Sequence, residues 1–328
     1  MSGVLLSRMF VERFSERLAE IEAIAGGGIE RIVMDTEAGG ADLSLDDLNR
    51  IEGGFFSNDI RYDRTRFMEA LYAAPNLKWL HFFAVGLDPR AYPELRERGV
   101  RITNSPGANA EPIALTVLGA ILSFSRPFST WKEAQERHSW EPIHYDDAPC
   151  DLAGQVMVII GTGEIGSRIA RYAQGIGMRV IGVQRSTPTT EQPFEEVHHP
   201  SKLHELLPRA EWLVVACPLT DETRGMVDEH AFSLLPRGAH LINVARGAIV
   251  DELAMIEALS SGVLGGAYLD VTAQEPLPTE SPLWAFPNVL VTPHNSSISA
   301  SYADRSAEMF FANLVRWGRG EALQNFVG

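Results

Sequence analysis

Residues 156–166 read Val156-Met157-Val158-Ile159-Ile160-Gly161-Thr162-Gly163-Glu164-Ile165-Gly166. Five strand-forming residues run straight into Gly-Thr-Gly, and a helical pattern, Glu164-Ile165-Gly166-Ser167-Arg168-Ile169-Ala170, follows at once. A strand, a glycine turn and a helix with G-x-G-x-x-G spacing constrain the fold more than any other feature. Gly161 permits the tight turn, Gly163 lets a pyrophosphate approach the backbone, and Gly166 lets the helix pack close to the strand. Thr162 lies inside the turn, and Glu164 and Ile165 open the helix, whose free N–H groups and positive dipole end favour phosphate. The spacing alone is weak. The strand before it and the helix after it make residues 161–166 a dinucleotide cradle.

At 328 residues, the chain has room for two domains of about 150 residues each. No apolar run reaches the roughly 18 residues of a membrane helix, and the first residues lack the basic-then-apolar pattern of a secretory signal. Cys150 and Cys217 form no C-x-x-C pair, which suits a reducing cytoplasm. The formal charge of −15 argues against nucleic acid or an anionic membrane as partner, so any anionic substrate must be met by local positive groups.

In chain order, residues 1–107 read as a first α/β unit. A helical pattern over 10–25 ends at Gly26-Gly27-Gly28, and strands are expected at 31–34, 54–57, 77–83 and 100–103, with a helix at 66–73. Residues 111–124 are apolar nearly all round, with Pro112 placed to start a helix. Such a helix is buried between domains or between subunits. Residues 131–151 read as irregular. A second α/β unit follows, with strands at 156–160, 179–183, 212–216, 240–244, 267–271 and 289–292 and helices at 203–207 and 252–260. A long helical pattern over 296–317 is expected to cross back to the first unit. The domain expectation is therefore 1–107 and 296–328 for one discontinuous domain and 108–295 for the inserted one. The fold class is α/β: two doubly wound parallel sheets, a Rossmann coenzyme domain inserted into a flavodoxin-like substrate domain.

Three residues follow three predicted strand ends: Arg246 after 240–244, Glu275 after 267–271 and His294 after 289–292. In a doubly wound sheet these ends open on the same edge as the glycine turn. Arginine, carboxylate and histidine facing a nicotinamide are what reduction of a keto acid requires. The arginine grips carboxylate or carbonyl oxygens in a two-pronged contact. The histidine gives a proton to oxygen as hydride reaches carbon, and the carboxylate holds the ring in one orientation and favours its cationic form. Taken singly, a loop arginine is usually a surface charge, a lone histidine a structural residue, and Glu275 before Pro276 a turn residue. Their shared placement carries the reading.

Longer segments around these residues resemble the D-isomer-specific 2-hydroxyacid dehydrogenase family. The matching segments are Leu241-Ile242-Asn243-Val244-Ala245-Arg246-Gly247-Ala248-Ile249-Val250-Asp251, Leu269-Asp270-Val271 with Gln274-Glu275-Pro276-Leu277-Pro278, and Val291-Thr292-Pro293-His294. Cys217-Pro218-Leu219-Thr220 with Thr223-Arg224-Gly225 is similar to the family's loop beside the adenosine. The resemblance covers residues 154–294 and is looser over the first hundred. It implies that Arg246, Glu275 and His294 are catalytic, with Arg246 and His294 also touching substrate. It implies that Cys217, Pro218, Thr223, Val244, Ala245 and His294 line the coenzyme and that Asp270 contacts the nicotinamide carboxamide. Val85 and Gly86 match a loop whose N–H groups hold the substrate carboxylate, although its residues depart from the usual small ones. Asn295-Ser296 also departs from the common pattern. A homodimer joined through the coenzyme domains is implied and accounts for the apolar helix at 111–124.

Coenzyme choice is expected from the end of the second coenzyme-domain strand. An acidic residue there would bind the ribose 2′-hydroxyl of NAD and repel a 2′-phosphate. Gln184 is neutral, and Arg185, Ser186 and Thr187 follow, which suits a phosphate. NADPH is therefore preferred over NADH, unless Arg185 merely stacks on adenine and either is accepted. His198-His199 is a poor metal site, since neighbours on a strand face opposite ways. The expected activity is NAD(P)H-dependent reduction of a small 2-keto acid, with glyoxylate or hydroxypyruvate preferred. Phosphoglycerate fits less well, because Ser57-Asn58-Asp59-Ile60 stands where such enzymes often offer arginine and little chain follows the crossing helix. The rivals are a nucleotide-sensing, corepressor-like scaffold and a formate- or phosphite-type dehydrogenase.

Overall fold

A computed structural model describes residues 2–26, 28–37, 40–60, 63–84, 91–144, 148–186 and 193–327. It divides into two compact units, Met1–Ala108 with Ser299–Gly328, and Asn109–Ile298.

The first unit holds five parallel strands: β1 Ser2–Ser7, β2 Ile29–Met34, β3 Ile51–Phe56, β4 Trp79–Phe82 and β5 Arg101–Thr103, in the order β2-β1-β3-β4-β5. This is the flavodoxin-like order. Because successive side chains on a strand point to opposite faces, the sheet builds two cores. Leu5, Ile32, Phe56, Leu80 and Ile102 fill one, and Val4, Leu6, Phe55 and Trp79 fill the other. The helix Tyr302–Gly318 supplies the second core with Ala307, Phe310, Phe311 and Leu314. Phe310 stacks on Phe55 at 4.3 Å between centroids, with the rings 6° from parallel. Beyond that helix, the Val327 N–H donates to the Ile102 carbonyl at 3.0 Å and so lies along β5.

Several expectations need correction here. The strand β1 has no counterpart in the sequence reading, because Val4-Leu5-Leu6 is too short to show a period. Residues 10–25 form two helices, Arg8–Arg13 and Ser15–Ile24, broken at Phe14. The Ser7 hydroxyl caps the first by accepting from the Phe10 N–H. The crossing helix starts at Tyr302, six residues later than the pattern suggested.

The second unit holds seven parallel strands: β6 Val156–Ile160, β7 Arg179–Val183, β8 Glu196–His198, β9 Trp212–Val215, β10 Ala239–Asn243, β11 Leu264–Leu269 and β12 Val289–Val291. Their order is β12-β11-β10-β9-β6-β7-β8. Counted from β6, this is the 3-2-1-4-5-6 Rossmann order with one strand added. The order reverses between β6 and β9, where such sheets bind ligands. Val158, Ile160, Leu213 and Leu241 pack on one face, and Met157, Ile159, Val214 and Ile242 on the other. Burial on both faces is why these strands read as continuous apolar runs.

The helix Ala110–Ser125 buries Ile113, Ala114, Val117 and Ile121 on that second face. Its opposite side is open in the single chain: Leu115 is 49% exposed and Leu122 38%. Within one chain the helix is therefore covered on one side only. A further helix, Phe128–Glu136, occupies part of the stretch read as irregular. Among the described residues, no single helix is long and apolar enough to cross a membrane.

Candidate active site

The glycine turn closes β6 against β9. Gly161 has φ +103°, and a Cβ there would stand 2.7 Å from backbone atoms of Ala216 and Cys217. At Gly166 a Cβ would come within 1.9 Å of the Gly161 carbonyl oxygen. Both positions therefore demand glycine for packing. Gly163 is different, because a Cβ there would meet nothing within 4 Å. It is the N-cap of the helix Glu164–Gly175, and no side chain caps that end. The first N–H groups, in the turn begun by Glu164 and Ile165, are left for a ligand. An open approach over Gly163 and an uncapped helix end fit a pyrophosphate.

Next to the turn, the Thr162 hydroxyl donates to Gln184 Oε1. Gln184 Nε2 donates to the Ser186 carbonyl at 2.6 Å, which occupies both ends of the amide. Arg185 turns instead toward the loop after β9, its Nη1 2.8 Å from Glu222 Oε2. In that loop the Thr223 hydroxyl donates to the Pro218 carbonyl at 2.8 Å, and Thr223 Oγ1 accepts from the Thr220 N–H at 2.7 Å. Cys217 lies buried at its start, and burial pushes its thiol up to about 11.

The ends of β10, β11 and β12 are adjacent in the sheet. After β10, Val244 N–H donates to the Val215 carbonyl and Ala245 N–H to Asn243 Oδ1 at 3.0 Å. Asn243 Nδ2 donates to the Arg246 carbonyl, so one buried amide fixes the turn on both sides of Ala245. The Arg246 guanidinium itself donates to the Ala245 carbonyl at 2.6 Å. Gly247 presses on the β11 loop so closely that a Cβ would stand 2.0 Å from the Thr272 carbonyl oxygen.

Glu275 and His294 meet. Glu275 Oε2 lies 2.8 Å from His294 Nδ1, and Glu275 Oε1 accepts from the Thr272 N–H at 3.4 Å. With Nδ1 held, Nε2 is the ring nitrogen left for chemistry, in a side chain 48% exposed. His294 sits at φ +54°, an uncommon conformation for any residue with a Cβ. Asp270 holds it there. The Asp270 carbonyl accepts from the His294 N–H at 2.9 Å. Its buried carboxylate accepts from the Asn295 and Ser296 N–H groups at 2.8 and 3.0 Å, from the Thr292 hydroxyl at 2.6 Å and from the Ser296 hydroxyl.

The structure thus brings Glu275 and His294 into contact and sets Arg246 on the neighbouring strand end, with its guanidinium on the Ala245 carbonyl. Val85 and Gly86 fall outside the described residues, as does Thr187. Sequence reasoning did not single out Asn243, Gly247, Thr272, Thr292 or Ser296 as supports. Asn243, Gly247 and Thr292 lie within the segments that carry the family resemblance and Ser296 departs from it, whereas Thr272 gave no signal.

Known proteins resemble this chain in sequence and fold. Residues 118–296 match the model of the D-isomer specific 2-hydroxyacid dehydrogenase, NAD binding domain. A glyoxylate reductase of Korarchaeum cryptofilum is 34% identical over 266 residues, covering 79% of this chain and 78% of the relative. This chain belongs to the D-isomer specific 2-hydroxyacid dehydrogenase family. It is an NAD(P)-dependent oxidoreductase. Among solved structures, a family member from Xanthobacter autotrophicus Py2 in complex with NADPH and MES superposes with a TM-score of 0.75 at 31% identity, covering 100% of this chain and 98% of that one. An NADPH-dependent glyoxylate/hydroxypyruvate reductase from Sinorhizobium meliloti, with NADP and malonate, gives 0.70 at 27% identity, covering 99% and 96%. The open space over Gly163 and the uncapped helix fit the nicotinamide coenzyme of this 2-hydroxyacid dehydrogenase.

Proposed function

We propose that the protein reduces a small 2-keto acid to the D-2-hydroxy acid, with glyoxylate or hydroxypyruvate as the favoured substrate and NADPH as the favoured coenzyme. The observation that carries the reading is the 2.8 Å contact between Glu275 and His294 after strands that end on the same sheet edge as the glycine turn. The bound coenzyme supplies a hydride to the carbonyl carbon. His294 Nε2 gives its proton to the carbonyl oxygen, and in the reverse direction the neutral ring takes the hydroxyl proton. Glu275 keeps Nδ1 occupied and so directs Nε2 to the substrate. Arg246 leaves the Ala245 carbonyl to grip the carboxylate and carbonyl oxygens. The D configuration and the substrate guess rest on family likeness. The NADPH preference is supported by the neutral Gln184 followed by Arg185 and by the NADPH and NADP complexes of the two structural relatives.

Steady-state kinetics on a panel of 2-keto acids with each coenzyme tests this. Turnover should appear with NADPH and one of the short acids. His294→Ala should lower kcat by about 10²–10⁴-fold, while coenzyme affinity stays within about twofold. Tight coenzyme binding with no turnover of any acid would favour a nucleotide-sensing scaffold. Turnover of formate or phosphite alone would favour that class of dehydrogenase.

The chain also forms a homodimer in this reading. Leu115 and Leu122 are seven residues apart, on one face of the helix Ala110–Ser125, and both are exposed in the single chain. Sedimentation should give twice the 36.1 kDa chain mass, and Leu122→Glu should halve it.

A further inference from the structure

The strand order β9-β6-β7 puts the loops after β7 and β9 on either side of the glycine turn that ends β6. One ion pair spans them. Arg185 Nη1 comes from the β7 side and Glu222 Oε2 from the β9 side, 2.8 Å apart. The positive charge of Arg185 also reaches Cys217 at the start of the β9 loop, where it works against the burial that raises the thiol. The guanidinium is therefore tied to the loop on the other side of β6. Gln184 contributes no charge to this spot, and its amide is occupied by Thr162 and Ser186.

A neutral residue at the end of β7 removes the repulsion a 2′-phosphate would meet there. Glu222 restores a carboxylate by another route, through the β9 loop and at the guanidinium itself. A phosphate on the ribose and this carboxylate would compete for the same donors. The pair is exposed, with side chains 63% and 68% accessible, and pairs of this kind are weak enough for a doubly charged phosphate to displace.

We infer that Glu222 is a coenzyme-specificity residue: by holding Arg185 across the end of β6 it weakens the grip on a 2′-phosphate and keeps unphosphorylated coenzyme usable. The inference rests on the reading that Arg185 meets the adenosine ribose. Glu222 touches neither the reacting carbon nor the proton path, and its effect is confined to the difference between the two coenzymes.

Calorimetric titration of the intact protein with NADP⁺ and with NAD⁺ tests it without turnover. Glu222→Gln should tighten NADP⁺ about three- to tenfold, since a like charge and a competing partner are both removed. NAD⁺ affinity should stay within about twofold, and the melting temperature should barely move, because an exposed pair contributes little. In an Arg185→Ala background the Glu222→Gln gain should largely vanish, which is the coupling that a double-mutant cycle reads. The gain should also shrink as salt is raised. An unchanged NADP⁺ to NAD⁺ ratio in Glu222→Gln, or weaker NADP⁺ binding, overturns the role of Glu222 while leaving Arg185 as the phosphate contact. If Arg185→Ala alone leaves NADP⁺ affinity unchanged, both the coenzyme reading and the inference fall.

Discussion

Ser296 and Asp270 are hydrogen-bonded twice, through the Ser296 N–H to Oδ1 at 3.0 Å and through the Ser296 hydroxyl to Oδ2. With Thr292 and Asn295 they tie the turn that carries His294 to the end of β11. The carboxylate is buried and, among the described residues, the hydrogen bonds it accepts come from this turn. Its positioning of His294 is therefore visible without any ligand.

Asp270→Ala strips acceptors from two backbone N–H groups and two hydroxyls at once. Stability should fall by about 2–4 kcal/mol, since each buried donor left unpaired costs on the order of 1–3. Catalysis should fall further than stability, because His294 loses the support for its left-handed conformation. Ser296→Ala removes one hydroxyl and keeps the N–H contact, so kcat should drop by only about three- to tenfold, in line with one hydrogen bond. Calorimetric melting and single-turnover rates on both variants check this. Equal activity losses in the two would contradict it.

The three glycines of the turn should separate folding from binding. Gly161→Ala and Gly166→Ala drive a Cβ into backbone at 2.7 and 1.9 Å, and overpacking of this kind costs about 1–3 kcal/mol or more. Gly163→Ala meets open space at an ordinary φ of −70°. Its melting temperature should match the parent within a degree or two, while coenzyme affinity drops at least about tenfold as the methyl enters the phosphate approach. Thermal shift with and without coenzyme distinguishes the two classes.

Two histidines, His81 buried and His240 partly so, make each unit acid-sensitive. Burial lowers His81 in the first unit to about 3 and His240 in the second to about 4. The Ser105 hydroxyl donates to the Phe82 carbonyl and so accepts from His81 Nε2–H. His81 Nδ1 is then the acceptor, taking the Thr103 hydroxyl at 2.7 Å. No lone pair is left for a proton. The unfolded chain binds a proton near pH 6.5 and the folded unit does not, so the stability present above that pH is lost as it falls toward 3. Between pH 6.5 and 4.5 the loss should be about 2–3 kcal/mol for His81. Urea titrations should show a shallower decline for His81→Asn over that window, whatever its stability at pH 7.5. An unchanged slope would sink the assignment.

The two cysteines should differ in reactivity. Cys150 is exposed and Cys217 is buried, with its thiol pushed up to about 11, and the thiolate is the reactive form. Native protein at pH 8 should release about one equivalent from a disulfide reagent, and unfolded protein about two. Rapid modification of both in the native state would mean that the β9 loop opens freely.

How far the sequence is legible depends on how local each cause is. The ends of β10, β11 and β12 could be placed because each strand is a largely apolar run followed by a turn, a local signal. Arg246, Glu275 and His294 follow from those ends. The support beneath them does not. The Asp270–Ser296 contact joins residues 26 apart, and Arg185 and Glu222 are 37 apart. Pairing across such separations is set by the sheet order rather than by any pattern along the chain. The strand β1 escaped for a different reason: it is short, passes directly into a helix capped by Ser7, and shows neither period clearly.

The stack of Phe310 on Phe55 has a consequence for how the chain comes off the ribosome. The second unit is one continuous segment and can close as soon as residue 298 has emerged. The first unit begins earlier but cannot complete its core until Phe310, Phe311 and Leu314 arrive. Through most of translation Phe55 and Trp79 lack the ring that stacks on both. In the interval between the two events the nascent chain carries a finished nucleotide-binding body behind an unfinished one, and that is when it would most need a holding chaperone.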